Sequence, residues 1–315
     1  MGTSELTKTP LISIILATYN RANLLPRAIS SVLTQTYQNF ELIVINDGST
    51  DSIEEVVRSF NDRRIVYYKH PENKGVLAAR NTGFDLSKGK YLVLLDDDDE
   101  LLPEALETVV KKFEELLPKG IKIIWFDSID VEKGKISGYG IEKEGLVTYR
   151  DYICGKIHGD YWIVFCRDVI GEDRFDERLW GHESILWLKL HRKSKAFYFP
   201  KVLCKKYREH GKRMCDFENR IKHLSEIILS QEKFLQEHGK EIRHLCSKYY
   251  GERLAYLGLH QLLNGDTKGR RSILKSLRFR FSFKYLSLFL LSFLLSKSQL
   301  LSIYYIYTNR SSLKG

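Results

Sequence analysis

The chain has 315 residues, 43% of them hydrophobic and 12% aromatic, with a net charge of +10. That composition excludes a wholly disordered chain, and the length suggests one large domain or one domain with an appendage. Five cysteines, none in a CxxC pair, give no zinc pattern. They make a disulfide framework unexpected and point to a reducing compartment.

Residues 1–10, MGTSELTKTP, form a polar tail without the apolar stretch of a secretory leader. The first apolar run, LISIILA (11–17), leads into Thr18, Tyr19, Asn20 and Arg21. Leu24, Leu25, Ala28, Ile29, Val32 and Leu33 then recur at helical spacing. The second run, ELIVI (41–45), leads into Asn46, Asp47, Gly48 and Ser49, with a helix expected over Ile53, Val56, Val57 and Phe60. A third run, IVYYK (65–69), precedes NKGVLAARNTG (73–83), which lacks the GxGxxG pattern of a dinucleotide site. Its Arg80 reads equally as a surface helix residue or as a phosphate or base contact. The fourth run, YLVLL (91–95), carries straight into Asp96, Asp97, Asp98 and Asp99, and the fifth is IKIIWF (121–126).

These runs are apolar throughout rather than alternating, as befits strands covered on both faces. Repeated strand–helix units predict a doubly wound, mostly parallel α/β sheet flanked by helices. In such a sheet ligands bind beyond the carboxyl ends of the strands. Three of the strand ends deliver polar groups to that rim. Four adjacent carboxylates raise one another's pKa unless a cation sits among them. Oxygen-only donors suit Mg²⁺ or Mn²⁺, which one or two carboxylates hold together with substrate phosphates. The cluster therefore points to a metal–diphosphate ligand.

Three stretches in this order, SIILATYNRANLLPRAISSVLTQTYQNFELIVINDGSTD (13–51), NKGVLAARNTG (73–83) and LDDDD (95–99), resemble the family 2 glycosyltransferases of GT-A fold. The resemblance is strong over about residues 11–115, weaker to about 210 and absent beyond. It implies inverting transfer of a sugar from a nucleotide-sugar donor, aided by a divalent metal. Carried onto this sequence, Thr18, Tyr19 and Asn20 would line the nucleobase pocket. Asp47 would accept the uracil N3–H, and Arg80 would lie beside the nucleotide. Asp96 would face the ribose, Asp98 would hold the metal, and Asp97 and Asp99 would support them. The family's usual acidic pair is altered in FDERLWGHESILWLKL (175–190): Glu183 is followed by Ser184, which cannot accept a proton at neutral pH. Glu183 becomes the expected base, with Asp176 and His182 behind it. Its plainer reading is a helix-start residue or a structural ion pair. In KKYREHGKRM (205–214), Arg208 and His210 are candidates to approach the metal or diphosphate, against the reading of a plain surface loop.

The expected domain is residues 11–215, with a nucleotide-binding half (11–126) and an acceptor half (127–215). A helical region (216–315) follows. The absence of QxxRW and of a block of long apolar spans suggests addition of a single sugar to a glycan or lipid-linked acceptor. Residues 251–315 hold 11 Lys+Arg against 2 Asp+Glu, so the first 250 residues are near neutral. The basic residues precede a stretch, 278–307, in which Leu286, Phe289, Leu290, Phe293 and Leu294 share a helical face. This suits a helix in the interface of an anionic membrane, on the cytoplasmic side; a helix packed into the protein and a true span stay open. Charge placed with apolar residues, rather than along an aromatic-studded groove, argues against nucleic acid. A nucleotidyltransferase of similar sheet, or a non-catalytic nucleotide-sugar or membrane-binding protein, are the competing readings.

Overall fold

The computed structural model describes residues 11–179, 183–207 and 216–312. Two compact units emerge: Met1–Tyr152 with Lys156–Glu177 and Glu183–His210, and Ile153–Gly155 with Arg178–His182 and Gly211–Gly315.

The first unit is built on one sheet. Its strands are β1 (Ile12–Thr18), β2 (Phe40–Asn46), β3 (Ile65–Lys69), β4 (Tyr91–Asp96), β5 (Glu100–Leu101), β6 (Ile121–Asp130), β7 (Lys135–Ile136), β8 (Gly145–Val147), β9 (Tyr161–Cys166) and β10 (Lys195–Lys206). The order is β3-β2-β1-β4-β9-β6-β10-β5, with β7 on β6 and β8 on β10. The pairings β1–β2, β1–β4, β2–β3 and β6–β10 are parallel. All five apolar runs are strands, as expected. The region 127–215, irregular in sequence, supplies an antiparallel strand: β9 runs between β4 and β6, opposite to both. It reads YWIVFC and is mostly buried, so neither alternation nor flanking turns mark it as a strand.

The helices of the strand–helix repeat are α1 (Leu25–Leu33), α2 (Ile53–Ser59), α3 (Val76–Leu86) and α4 (Ala105–Leu116). Further on come α5 (Tyr149–Ile153), α6 (Arg167–Ile170) and α7 (Ser184–Lys193). Burial explains the near-uniform strands, since all seven residues of β2 are buried. Helix α3 lies close on the sheet at Gly83, where an added Cβ would stand 2.2 Å from Ile15 Cγ2. A glycine lets the helix approach there, and that approach carries Arg80, one turn earlier, to the rim.

The second unit is helical: α8 (Phe217–Lys222), α9 (Leu224–Leu245), α10 (Ser247–Leu263), α11 (Lys268–Leu277), α12 (Phe283–Leu294) and α13 (Lys297–Ser312). Leu224, Leu262, Leu263, Ile273, Leu300 and Tyr304 form its core. Cys154 and Cys246 are joined in a disulfide. This corrects the expectation that the cysteines stay reduced; partners 92 residues apart in sequence share no spacing signal.

The apolar stretch near the C-terminus is broken at Leu295 and Ser296 into two helices. Its expected single apolar face is divided. Tyr285, Leu288 and Phe289 pack on the helical core, whereas Leu290, Phe293 and Leu294 are exposed. Among the described residues no helix is long and apolar enough to cross a membrane.

Candidate active site

The carboxyl ends of β1, β2 and β4 hold the polar groups, and hydrogen bonds tie the three loops together. Asn20 takes a left-handed conformation (φ 51°), which asparagine tolerates better than most residues. Its Oδ1 accepts from the Thr50 amide at 2.9 Å, and its own amide donates to Ser49 Oγ at 2.9 Å. The loop after β1 is thus latched to the loop after β2. Gly48 (φ 71°) lets the second loop pass the chain at Glu72 and Asn73; an added Cβ would stand 2.3 Å from the Glu72 carbonyl carbon.

Asp47 is buried. Its Oδ1 pairs with His70 Nδ1 at 2.7 Å and accepts from the Lys74 amide at 3.0 Å, while Oδ2 accepts from the Gly75 amide at 2.8 Å. The other face of His70 meets Thr82 Oγ1 at 2.9 Å. An ionised carboxylate offers about four acceptor positions. Three are filled from within, which leaves one on Oδ2.

The four aspartates have different surroundings. Asp96 takes the Arg80 guanidinium at 2.8 Å and Lys206 Nζ at 3.4 Å. Burial opposes its ionisation, but the Lys206 and Arg80 charges outweigh this and hold it well below the ordinary carboxylate range. Asp97 is buried. It accepts from Thr18 Oγ1 at 2.8 Å and from Arg21 Nη1 at 2.6 Å. Burial, helped by Asp98 and Asp96, pushes it up to about 7 against the pull of Arg21 and Thr18. Asp98, partly exposed, takes the second prong of the same guanidinium at 2.6 Å. Its backbone carbonyl accepts from Arg27 Nη2 at 2.7 Å. Asp99 is buried beside Lys206 and Cys204; burial pushes it up to about 8 although the Lys206 ammonium pulls the other way.

Glu183 precedes the first turn of α7 and forms an ion pair with Arg80, on the guanidinium nitrogen not used by Asp96. Arg80 is therefore no surface helix residue: it joins the carboxylate after β4 to the candidate base. Tyr19 is exposed at the end of β1. The structure thus places two adjoining ionic clusters at the rim, Thr18, Asp97 and Asp98 around Arg21, and Asp96 and Glu183 on Arg80. Asn20 braces the loop beside them, and Asp47 is buried apart from them against His70, Lys74 and Gly75. Arg208 and His210, like His182, lie outside the described residues.

His70 and Lys206 escaped the sequence reading as site residues, and the same reading puts Arg21 at the rim without a role. Each follows the end of a strand or closes one, and that position was the available signal. What they contact is set by pairings 76, 23 and 107 residues distant in sequence.

The donor set at this rim is all oxygen. Asp96 and Asp98, 46% and 22% exposed, are the two carboxylates of the run open enough to exchange a basic partner for a metal ion, whereas Asp97 and Asp99 are buried. Among the described residues no group of three or more His, Cys, Asp or Glu side chains is placed to hold a metal ion. One or two carboxylates completed by phosphate and water is the ordinary arrangement for Mg²⁺, so the residues fit a metal that arrives with a diphosphate.

Residues 13–166 match the family described as Glycosyl transferase family 2. The chain is 30% identical over 256 residues to the GalNAc(5)-diNAcBac-PP-undecaprenol beta-1,3-glucosyltransferase of Campylobacter jejuni, covering 76% of this chain and 81% of that protein. Among solved structures it resembles S. aureus TarS 1-349 in complex with UDP-GlcNAc, with a TM-score of 0.61, 15% identity, and 85% of this chain and 89% of the other covered. It also resembles the mannosyltransferase PcManGT of Pyrobaculum calidifontis in complex with GDP-Man and Mn²⁺, with a TM-score of 0.52, 16% identity, and 96% and 88% covered. The fold is the GT-A fold.

Proposed function

The chain belongs to glycosyltransferase family 2, and we propose that it transfers a single sugar, with inversion, from a nucleotide-sugar to a glycan or lipid-linked acceptor. UDP-sugars are the expected donors. The observation that carries this is the gathering of ionic groups at the ends of β1 and β4: Arg21 joins Asp97 and Asp98, with Thr18 on Asp97, while Arg80 joins the adjacent Asp96 to Glu183.

In this reading residues 11–126 bind the nucleotide and 127–215 the acceptor. Thr18, Tyr19 and Asn20 border the base, and the remaining acceptor position of Asp47 receives the N3–H of uracil. Asp96 faces the ribose, and Asp98, with His210 as a further candidate, holds Mg²⁺ or Mn²⁺. The metal, when bound, neutralises charge that grows on the departing diphosphate. Arg21 and Lys206 already balance part of the acidic charge and keep Asp97 and Asp99 in place. Arg80 sets the position of Glu183, which takes the proton of the acceptor hydroxyl; the Ser184 hydroxyl beside it has no such capacity. The lipid-linked acceptor of the Campylobacter relative supports the acceptor class. Attachment at an anionic membrane surface through 278–307 would bring such an acceptor within reach.

The test is a panel of UDP-, dTDP- and GDP-sugars assayed for hydrolysis and transfer with Mn²⁺ or with EDTA. Metal-dependent turnover of a UDP-sugar is the expected result. Turnover in EDTA, or wild-type activity in Asp98→Asn, removes the metal assignment, and full activity in Glu183→Gln removes the base.

A further inference from the structure

The second unit carries a shallow, open cationic depression that the transfer reaction does not use. Lys240, Arg243 and His244, at the end of α9, line it. All three side chains are exposed, and none makes an ion pair among the described residues. Basic residues in the last turn of a helix complement its dipole. That accounts for the sign of Arg243 and His244. It does not account for Lys240, a turn earlier, nor for what stands beside them.

The Arg243 guanidinium lies over the Phe279 ring, 5.3 Å from its centre. Phe279 also meets the Tyr250 ring at 5.0 Å, so this part of the chain is fixed on α10. Two and four residues further on, Phe281 and Phe283 are 64% and 77% exposed, with their rings 5.4 Å apart. Arg278 and Lys284 flank them and are exposed. Successive residues advance at most about 3.5 Å, so Phe281 lies within about 7 Å of the residue that Arg243 covers. A ligand that fits both features has an anionic group and an apolar body separated by roughly that distance. A phospholipid at the headgroup–acyl boundary has both.

We infer that the groove of Lys240, Arg243 and His244 is a headgroup site for anionic phospholipid, with Phe281 and Phe283 as the residues that enter the acyl layer. The inference deepens the peripheral-membrane reading above and rests on it. It moves the point of attachment from the middle of the apolar stretch to its start, where positive charge and exposed aromatic rings coincide.

The full-length protein should co-float with phosphatidylcholine vesicles containing phosphatidylglycerol and not with phosphatidylcholine alone. Each basic residue near such a surface is worth roughly fivefold in partition, so Lys240→Gln with Arg243→Gln should lower it about 25-fold. Arg243→Lys should retain most of it. Phe281→Ser with Phe283→Ser should lower it at least about tenfold, since two large apolar side chains no longer leave water. Inorganic phosphate should not displace the protein from vesicles at concentrations matched to lipid phosphate. Equal partition on neutral and anionic vesicles, unchanged partition in the Lys240/Arg243 double variant, or ready displacement by phosphate overturns the site. Thermal melting of each variant separates lost binding from lost folding. Donor hydrolysis by the wild-type chain without vesicles is read separately: absent hydrolysis with vesicle binding intact counts against the transferase reading and not against this one.

Discussion

The rim of the first unit and the surface of the second handle charge in opposite ways. At the rim every aspartate from Asp96 to Asp99 has a basic partner in the same unit, and three cations serve two acids each: Arg21 holds Asp97 and Asp98, Lys206 holds Asp96 and Asp99, and Arg80 holds Asp96 and Glu183. In the second unit Lys240, Arg243 and His244 lack carboxylate partners among the described residues, and Phe281, Phe283 and Leu294 stand exposed. A site that is balanced from within works by exchange: a ligand or metal must replace a guanidinium or ammonium already there. A surface left unbalanced takes its partner from outside. The first arrangement gives selectivity because a wrong ligand leaves buried acids uncompensated. The second gives attachment with little selectivity beyond charge.

The largest effect expected at the rim follows from that exchange. Asp98→Asn should reduce sugar transfer by about 10²–10³-fold, the range for loss of one group that stabilises developing charge. Initial rates with saturating Mn²⁺ check this. A similar loss in Asp99→Asn with little effect in Asp98→Asn would reverse the division between metal-holding and supporting acids.

The second unit has its own staple. The disulfide closes a loop of 92 residues, for which chain entropy alone gives about 4.6 kcal/mol and disulfides typically contribute about 2–4 kcal/mol. Cys154→Ser with Cys246→Ser should lower the melting temperature of the second unit, and dithiothreitol should do the same to the wild-type chain but not to the variant. Identical melting of wild type with and without reductant would show the two thiols to be unpaired in solution.

Gly48→Ala probes the loops that bring the rim together. The new methyl would meet backbone at Glu72 and Asn73, and the left-handed φ adds strain, so a loss of about 1–3 kcal/mol is expected in chemical denaturation. Nucleotide affinity should fall with it, because Asp47 precedes Gly48 and takes its amide partners from Lys74 and Gly75.

The sequence revealed the rim better than its wiring. Apolar runs with polar ends located β1 to β4 and β6 and put Asp47 and Asp96 to Asp99 at strand ends, because strand burial and strand ends are local properties. β9 was hidden, since a short buried run inside an irregular region has no periodicity to declare it. The cations that neutralise the acids were hidden for a different reason. Nothing near Lys206 in sequence indicates Asp99, and nothing near Arg80 indicates Glu183; the pairing of β5 with β10 creates the first pair, and the approach of α3 to the start of α7 the second. At the C-terminus helical spacing found the apolar residues, but it could not tell which side of the helix the helical core would take.

The pH dependence of stability tests whether the rim's balance is complete. Asp97 and Asp99 are pushed up to about 7 and about 8 from an ordinary value of 3.8. Between about pH 4 and those values the folded chain therefore binds more protons than the unfolded chain. Stability must fall as pH rises through this window, by up to about 1.4 kcal/mol per pH unit for each group. Asp96 acts in the reverse sense: held below its ordinary value, it costs stability only as pH drops below about 4. The melting temperature should accordingly be higher near pH 5 than near pH 8. In Asp97→Asn, which keeps the shape without the titration, the slope should be shallower and the difference from wild type should shrink toward acid pH. The same slope in both proteins would mean that Arg21 and Thr18 already hold Asp97 ionised near neutrality, and that this part of the rim reaches full charge balance with no ligand bound.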